Sequence, residues 1–313
     1  MRPLVPLLSL ILCVPLAFDD SAPASSDSVS PPPLTALLAA SAAPEFPPVP
    51  AFDLAFDVHA RTEFARLDLG NGMDTHVVGD AFVMVTPFRN KVFDDSVALA
   101  EQALAAYFNG RFAKHPEHAV TIYVFDSAKR FGEYCQARGR GESCARELGV
   151  YLRGTREILV NQAPGLTTLT HELVHPIIAD DFPQAPVWLD EGIAGLFEAA
   201  VFPHPGEVHG TTNWRLPRLK NAFGSEEDRT FVHLDNLFLL SEVAFRGGAK
   251  DMAYAMARYA CQWLDSKNQL WPFYQAWRDH VAEDPSGEKA FATVVGRTPK
   301  EAAADWEKWV RAL

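Results

Sequence analysis

A chain of 313 residues, 48% hydrophobic and 22% charged, has ample apolar material for a real core and falls in the ordinary globular range. Its formal net charge of -12, with no concentrated basic block, argues against a nucleic-acid footprint or an attraction to anionic lipid.

The opening stretch "MRPLVPLLSLILCVPLAFDD" combines Arg2, an apolar run from Leu4 to Phe18 and then acidic residues. This is the layout of a secretory signal peptide, assigned to residues 1–18. The run is too short for a comfortable membrane span, so no stable membrane insertion is expected after its removal. Cys13 follows Leu12, where a lipidation signal would carry a small residue, so a lipid anchor is not expected. The reading is an exported protein, periplasmic or extracellular. Residues 19–50, rich in Ser, Ala and Pro, bury too little apolar surface to offset the entropy of ordering them and read as a linker. The folded part is expected over residues 51–313, without internal repeats.

From His76 to Pro87, "HVVGDAFVMVTP" has the β-branched and aromatic content of a strand or hairpin. "DDSVALAEQALAAYFNG" then carries helical apolar spacing that ends at Gly110. "AVTIYVF" reads as a strand and "SAKRFGEYCQA" as a short helix. "GVYLRG" and "REILVN" read as a hairpin turning at Gly154 and Thr155. After Leu166 the pattern is mostly helical. Mixed strands and helices followed by helices give an α+β fold: an α/β lobe over 51–165 with a small sheet, a helical lobe over 166–313, and a functional cleft between them. Of the cysteines left after signal removal, Cys135 and Cys144 could form a disulfide in an exported protein, while Cys261 in "AYAMARYACQWL" reads as a buried small apolar residue.

The junction of the lobes carries "THELVHPIIADDFPQAPVWLDEGIAGLFEA", Thr170 to Ala199. His171 and His175 stand four apart, so on a helix they share one face with about 6 Å of axial rise between them. Two imidazoles so placed can meet one ion, and Glu172, beside the first, can reach a water held there. The H-E-x-x-H pattern is that of zinc metalloproteases. Glu191 lies on a second helix that Pro186 can open, and the intervening "PIIADDFPQAP" can fold that helix back to deliver a third, anionic ligand. Two histidines and a glutamate leave the fourth position of a zinc ion free for water, which is how a catalytic site is built. The plain alternative is a polar face on an ordinary helix pair.

"HELVH" followed by "WLDEGIAGLFE" resembles the gluzincin metallopeptidases, and most closely the peptidase MA-like domains of exported bacterial proteins. The likeness extends through "TIYVFDSAKRFGEYC", "AYAMARYACQWL" and "FATVVGRTPKEAAADWEKWVRAL", roughly residues 75–313. The resemblance implies a zinc metallopeptidase acting on a peptide or protein substrate, with His171, His175 and Glu191 as zinc ligands and Glu172 as general base. It places Tyr254 at the start of a Tyr-Ala helix as first candidate for oxyanion donor, with His209 and His233 behind it. Each also has a bland reading, Tyr254 as a hydrogen-bonded core aromatic and the histidines as solvated loop residues. Arg215 and Arg218 could hold a substrate carboxylate, although surface charge is favoured; Trp188 is expected to pack beneath the site. Pro176 departs from the pattern: it removes the hydrogen bond to the Glu172 carbonyl, so a bend is expected where the ligands sit. A substrate can be expected to run along "GVYLRG" as an added strand. Two other functions compete, a zinc-bearing envelope-binding module with little turnover and a zinc amidohydrolase on a non-peptide amide. Retention of Glu172 weighs against the module, which needs ligands but no base.

Overall fold

The computed structural model describes residues 52–313 apart from Phe88. The expected signal peptide, Cys13 and the linker lie outside the described residues. The first element is helix α1 (Leu54–Leu69), capped by the Asp53 side chain on the backbone N–H of Phe56. A hairpin follows, β1 (Asp74–Val78) antiparallel to β2 (Phe82–Thr86), as the β-branched and aromatic content there predicts. Helix α2 (Lys91–Tyr107), capped by Asn90, crosses over to β3 (Val120–Phe125), which pairs parallel with β2. Helices α3 (Ala128–Ala137) and α4 (Gly141–Arg146) lead to the second expected hairpin, β4 (Gly149–Leu152) and β5 (Glu157–Asn161). That hairpin turns through Arg156 at φ 54°.

The five strands form one sheet in the order β1-β2-β3-β5-β4, so β4 is an edge strand. Both faces of its centre are buried, and the period of two divides the side chains between them. Val83, Val85, Tyr123, Phe125 and Leu159 pack on one face with Ala65 of α1 and Phe131 of α3. Met84, Ile122, Val124, Ile158 and Val160 pack on the other face, in the core shared with the helices that follow. Cys135 and Cys144 are joined in a disulfide that ties α3 to α4, and Cys261 is a free, buried thiol.

Beyond residue 165 the described chain is largely helical, the two-lobe arrangement expected from the order of patterns. The metal-motif helix runs as α5 (Thr167–Glu172) and α6 (Val174–Asp181), interrupted at Leu173. The interruption lies where Pro176, lacking an N–H, cannot bond the Glu172 carbonyl. Leu173 keeps a right-handed helical conformation, φ -62° and ψ -24°, so His171 and His175 remain on a common face. Helix α7 (Val187–Glu198) starts directly after Pro186, which stands at its N-cap. A two-residue ladder joins β6 (Ala200–Val201) to β7 (His209–Gly210). Four short helices follow, α8 (Leu216–Ala222), α9 (Glu226–Arg229), α10 (Asn236–Leu239) and α11 (Glu242–Phe245). The chain then builds α12 (Lys250–Asp265), α13 (Leu270–Asp279), α14 (Glu288–Val295) and α15 (Pro299–Ala312), the last begun by a Thr298–Glu301 capping box.

Helix α7 is nearly engulfed, burying nine of its residues from Trp188 to Phe197, against α12 above all. Gly192 makes this approach possible: a Cβ there would stand 2.7 Å from Cys261 Sγ and 2.8 Å from the Ala257 carbonyl oxygen. The glycine after Glu191 therefore sets how close α7 lies to α12. Among the described residues no helix is long and apolar enough to cross a membrane.

Candidate metal centre

The face shared by α5 and α6 looks onto α7, and there His171, His175 and Glu191 converge. One ligand atom from each can be chosen so that all lie within 4.8 Å of one another. His171 Nε2 is 3.5 Å from Glu191 Oε2, and the two imidazole rings are 5.1 Å apart between centroids. His175 is oriented from behind, its Nδ1 paired at 2.8 Å with Asp190 Oδ1. With a carboxylate as acceptor, Nδ1 keeps its proton, so the nitrogen that would give up a proton to an ion is Nε2, on the side of His171 and Glu191. The Tyr151 ring of β4 lies nearly parallel to the His175 ring, with 14° between the planes and 6.5 Å between centroids.

The charges fit a divalent cation. Glu172 and Glu191 are 5% and 6% exposed, and Asp190 stands beside them, so three carboxylates share a small volume with two histidines. Burial pushes the Glu172 carboxyl above the usual carboxylate range, and Glu191 and Asp190 push the same way, against the histidines. Burial alone would raise Glu191 too; the hydrogen bond to His171 and the charges of His175, His171 and Arg246 overcome it and hold Glu191 ionised. Burial disfavours a charged His175, yet Asp190 and the two glutamates raise its pKa to about 10. Two imidazole nitrogens and an ionised carboxylate are the donor set for which zinc is suited.

The site opens into a cleft of about 1350 Å³ between the lobes. One wall is the edge strand β4 with the segment from Glu147, the other α7, α11 and the start of α12. The strand touches the motif itself. Gly149 lies so close to α5 that a Cβ there would stand 2.4 Å from Thr168 Cγ2 and 2.9 Å from both Cγ and Oε1 of Glu172. Glu172 Oε2 is turned the other way, 3.9 Å from His175 Nε2.

Tyr254 lines the same cleft, and its hydroxyl donates to Glu191 Oε1 at 3.0 Å. Arg215 also lines it, paired at 2.5 Å with Glu198 and lying over the Trp214 ring at 4.1 Å. His209, bonded to Glu207, and Arg218 are not among the cleft-lining residues. His233, paired with Asp235, lines a separate cavity of about 280 Å³ beside Trp306. Trp188, 1% exposed, packs against Phe238, Phe273 and Trp277 beneath the site. Sequence reasoning passed over Asp190, Gly149, Tyr151 and Arg246. Only Asp190 had a local signal, as the acid beside Glu191 in "WLDEG".

No protein-family model matches the chain, and no curated protein matches it in sequence. The assignment therefore rests on geometry. A His171-Glu172-x-x-His175 helix with Glu191 delivered from the next long helix forms a cluster able to hold a metal ion, consistent with a gluzincin-type active site.

Proposed function

We propose that this chain is an exported zinc-dependent metallopeptidase that hydrolyses peptide bonds. The observation that carries the reading is the buried glutamate beside the cluster. Glu172 stands outside the cluster of His171, His175 and Glu191 with one oxygen turned towards it, and a site meant only to hold metal has no use for a buried carboxylate there. His171, His175 and Glu191 would hold the ion. When bound, zinc supplies Lewis acidity and makes water a nucleophile near neutral pH. Glu172 takes the proton of the attacking water at Oε2, the oxygen turned to the ligands, while Oε1 stays packed against Gly149. Burial favours the protonated form of Glu172, so it can hold that proton and return it to the leaving nitrogen. Asp190 keeps His175 in the tautomer that offers Nε2.

An extended peptide suits the cleft. The main chain of β4 is paired by β5 on one side only and lines the cleft, so a substrate strand can add to that edge. This favours a peptide over a compact amide. Export is supported by the signal-like first residues and by the Cys135–Cys144 bond, which persists in oxidising compartments.

The test is incubation of the purified protein, with zinc and with chelator, on a mixed peptide library read by mass spectrometry. Zinc-dependent cleavage is expected. Glu172→Gln should keep zinc stoichiometry and lose at least about 10²-fold in turnover, the lower bound of a general base's contribution. No cleavage by the zinc-loaded protein across the library sinks the peptidase reading, and undiminished cleavage by the variant sinks the role of Glu172.

A further inference from the structure

The two oxygens of Glu191 have different surroundings. Oε2 faces His171 Nε2 at 3.5 Å, among the ligand atoms. Oε1 points away and is held by a closed triangle: the Tyr254 hydroxyl donates to it at 3.0 Å, Arg246 Nη1 lies 3.0 Å from it, and the same Nη1 donates to the Tyr254 oxygen at 3.0 Å. Arg246 and Tyr254 have further partners of their own. Arg246 follows α11 and is steadied by Nε on Glu242 at 3.2 Å. Tyr254, on α12, packs its ring against Phe245 at 4.9 Å, with the Arg215 guanidinium 5.8 Å from its centroid.

We infer that Arg246 and Tyr254 are positioning residues that divide the Glu191 carboxylate, reserving Oε1 for themselves and presenting Oε2 alone to the ion. The inference rests on the metal-site reading above, and does not depend on peptidase activity. A carboxylate is free to bind an ion through one oxygen or two. Here the second mode requires turning Oε1 out of a neutral and a charge-assisted hydrogen bond, inside a site where Glu191 is only 6% exposed. Single-oxygen binding keeps the ligand count at three and leaves a position for water, the condition for a catalytic rather than a closed site. Arg246 also places a positive charge against the ligand, so the site's surplus of carboxylate is reduced without touching the histidines. Because the Tyr254 proton is directed at Glu191, its hydroxyl serves the ligand in this structure, whatever it does towards substrate.

Outer partners of this kind typically set metal affinity by about 10- to 100-fold. Tyr254→Phe and Arg246→Gln, each in the full chain, are therefore expected to weaken zinc by at least about 10-fold in competition with a chromophoric chelator. The double variant should lose less than the two losses combined, since the triangle acts as one unit. Arg246→Lys should recover part of the affinity by restoring the charge. A second readout separates positioning from a general loss of structure. In cobalt-substituted protein the visible absorption falls in intensity as coordination rises from four to five, so both variants should absorb more weakly than the parent as Oε1 is released to the ion. Thermal midpoints of the metal-free proteins, measured alongside, identify any variant that has lost its fold; if Arg246→Gln has, Tyr254→Phe carries the test, and if Tyr254→Phe has, Arg246→Gln carries it. Zinc affinity within twofold of the parent, or weakened affinity with an unchanged cobalt spectrum, overturns the inference. A parent protein that binds no zinc at all overturns the site itself, and is seen before any variant is made.

Discussion

At the scale of single residues, the contact between Gly149 and Glu172 has the clearest consequence. The edge strand bears on the base through a bare Cα, and a methyl group there cannot fit with Thr168 Cγ2 at 2.4 Å and Glu172 Oε1 at 2.9 Å. Gly149→Ala should therefore shift the Glu172 carboxylate while leaving all three ligands in place. The expected result is a fall in kcat on a cleaved peptide by about 10² or more, within the range of losing the base, with zinc stoichiometry unchanged. Adding Thr168→Ser removes the nearest obstructing atom and should restore part of the rate. A single variant with full kcat, or a double variant no better than the single, would show that Glu172 is held by something else. The convergence of His171, His175 and Glu191 was legible in the sequence, the histidines because their spacing follows from helix geometry and Glu191 because the intervening turn can fold a second helix back. Gly149 and Arg246 were not, because their meaning arises only when β4 and the end of α11 are brought to the site by the tertiary fold.

At the scale of elements, the interrupted metal helix is secured by the two aspartates that end it. Asp180 takes Arg156 of the β4–β5 turn in a two-pronged pair at 2.8 and 3.1 Å. Asp181, with a fully buried side chain, accepts from Tyr274 at 2.9 Å, from Arg278 at 3.0 Å, and from the backbone N–H groups of Ala113 and Lys114 at 3.1 and 2.8 Å. One carboxylate ties the helix to the sheet lobe and the other to α13. Neither is free to replace Glu191 as a ligand. Asp181→Ala strands a partly buried guanidinium and two main-chain donors, and breaking a buried pair from one side costs about 3 to 5 kcal/mol. Urea unfolding should read that loss as a lower midpoint with an unchanged slope; a loss below about 1 kcal/mol would mean that water or Asp279 replaces the pairing. The hairpins and β3 were legible from strand-type composition and turn residues, α2 from its apolar spacing, and the motif helices from the spacing of their histidines and from Pro186. Helix α1 was not assigned, and the structure gives the reason: Phe56, Phe64 and Leu67 face solvent at 70%, 68% and 82% exposure, so its apolar residues do not mark a buried face. The four helices between Leu216 and Phe245 are at most seven residues long, too short for a 3.6-residue period to register.

At the scale of the whole molecule, the division into a strand-bearing lobe and a helical lobe followed from the order of patterns, while the strand order β1-β2-β3-β5-β4 did not, since it depends on crossovers that single-strand patterns do not encode. That topology leaves β4 as the cleft wall and puts all three candidate ligands in the helical lobe, on α5, α6 and α7. Metal binding should then be coupled to the stability of the fold. The buried carboxylates of Glu172 and Glu191 and the partly buried Asp190 share the site with His171 and His175, so the folded chain gathers in one place the groups that would hold a cation. The unfolded chain has no such cluster, so an ion that binds the native state stabilises it by about 2.7 kcal/mol at a free concentration 100 times its Kd. For a folded unit of this size each kcal/mol raises Tm by about 2 to 4 °C, so zinc at that level should raise Tm by about 5 to 11 °C, and a chelator should reverse the rise. The variants sort by role. Glu191→Ala should abolish most of the zinc-dependent shift because it removes a ligand. Glu172→Gln should retain the shift in full, since this side chain stands outside the ligand set, and its own metal-free Tm should be no lower than the parent's because one buried charge has been removed. Differential scanning calorimetry with zinc, with chelator and with each variant measures all of this on a single scale. A Glu191→Ala protein with the parent's zinc shift would place the third ligand elsewhere, and a Glu172→Gln protein that loses the shift would make Glu172 a ligand instead of the base.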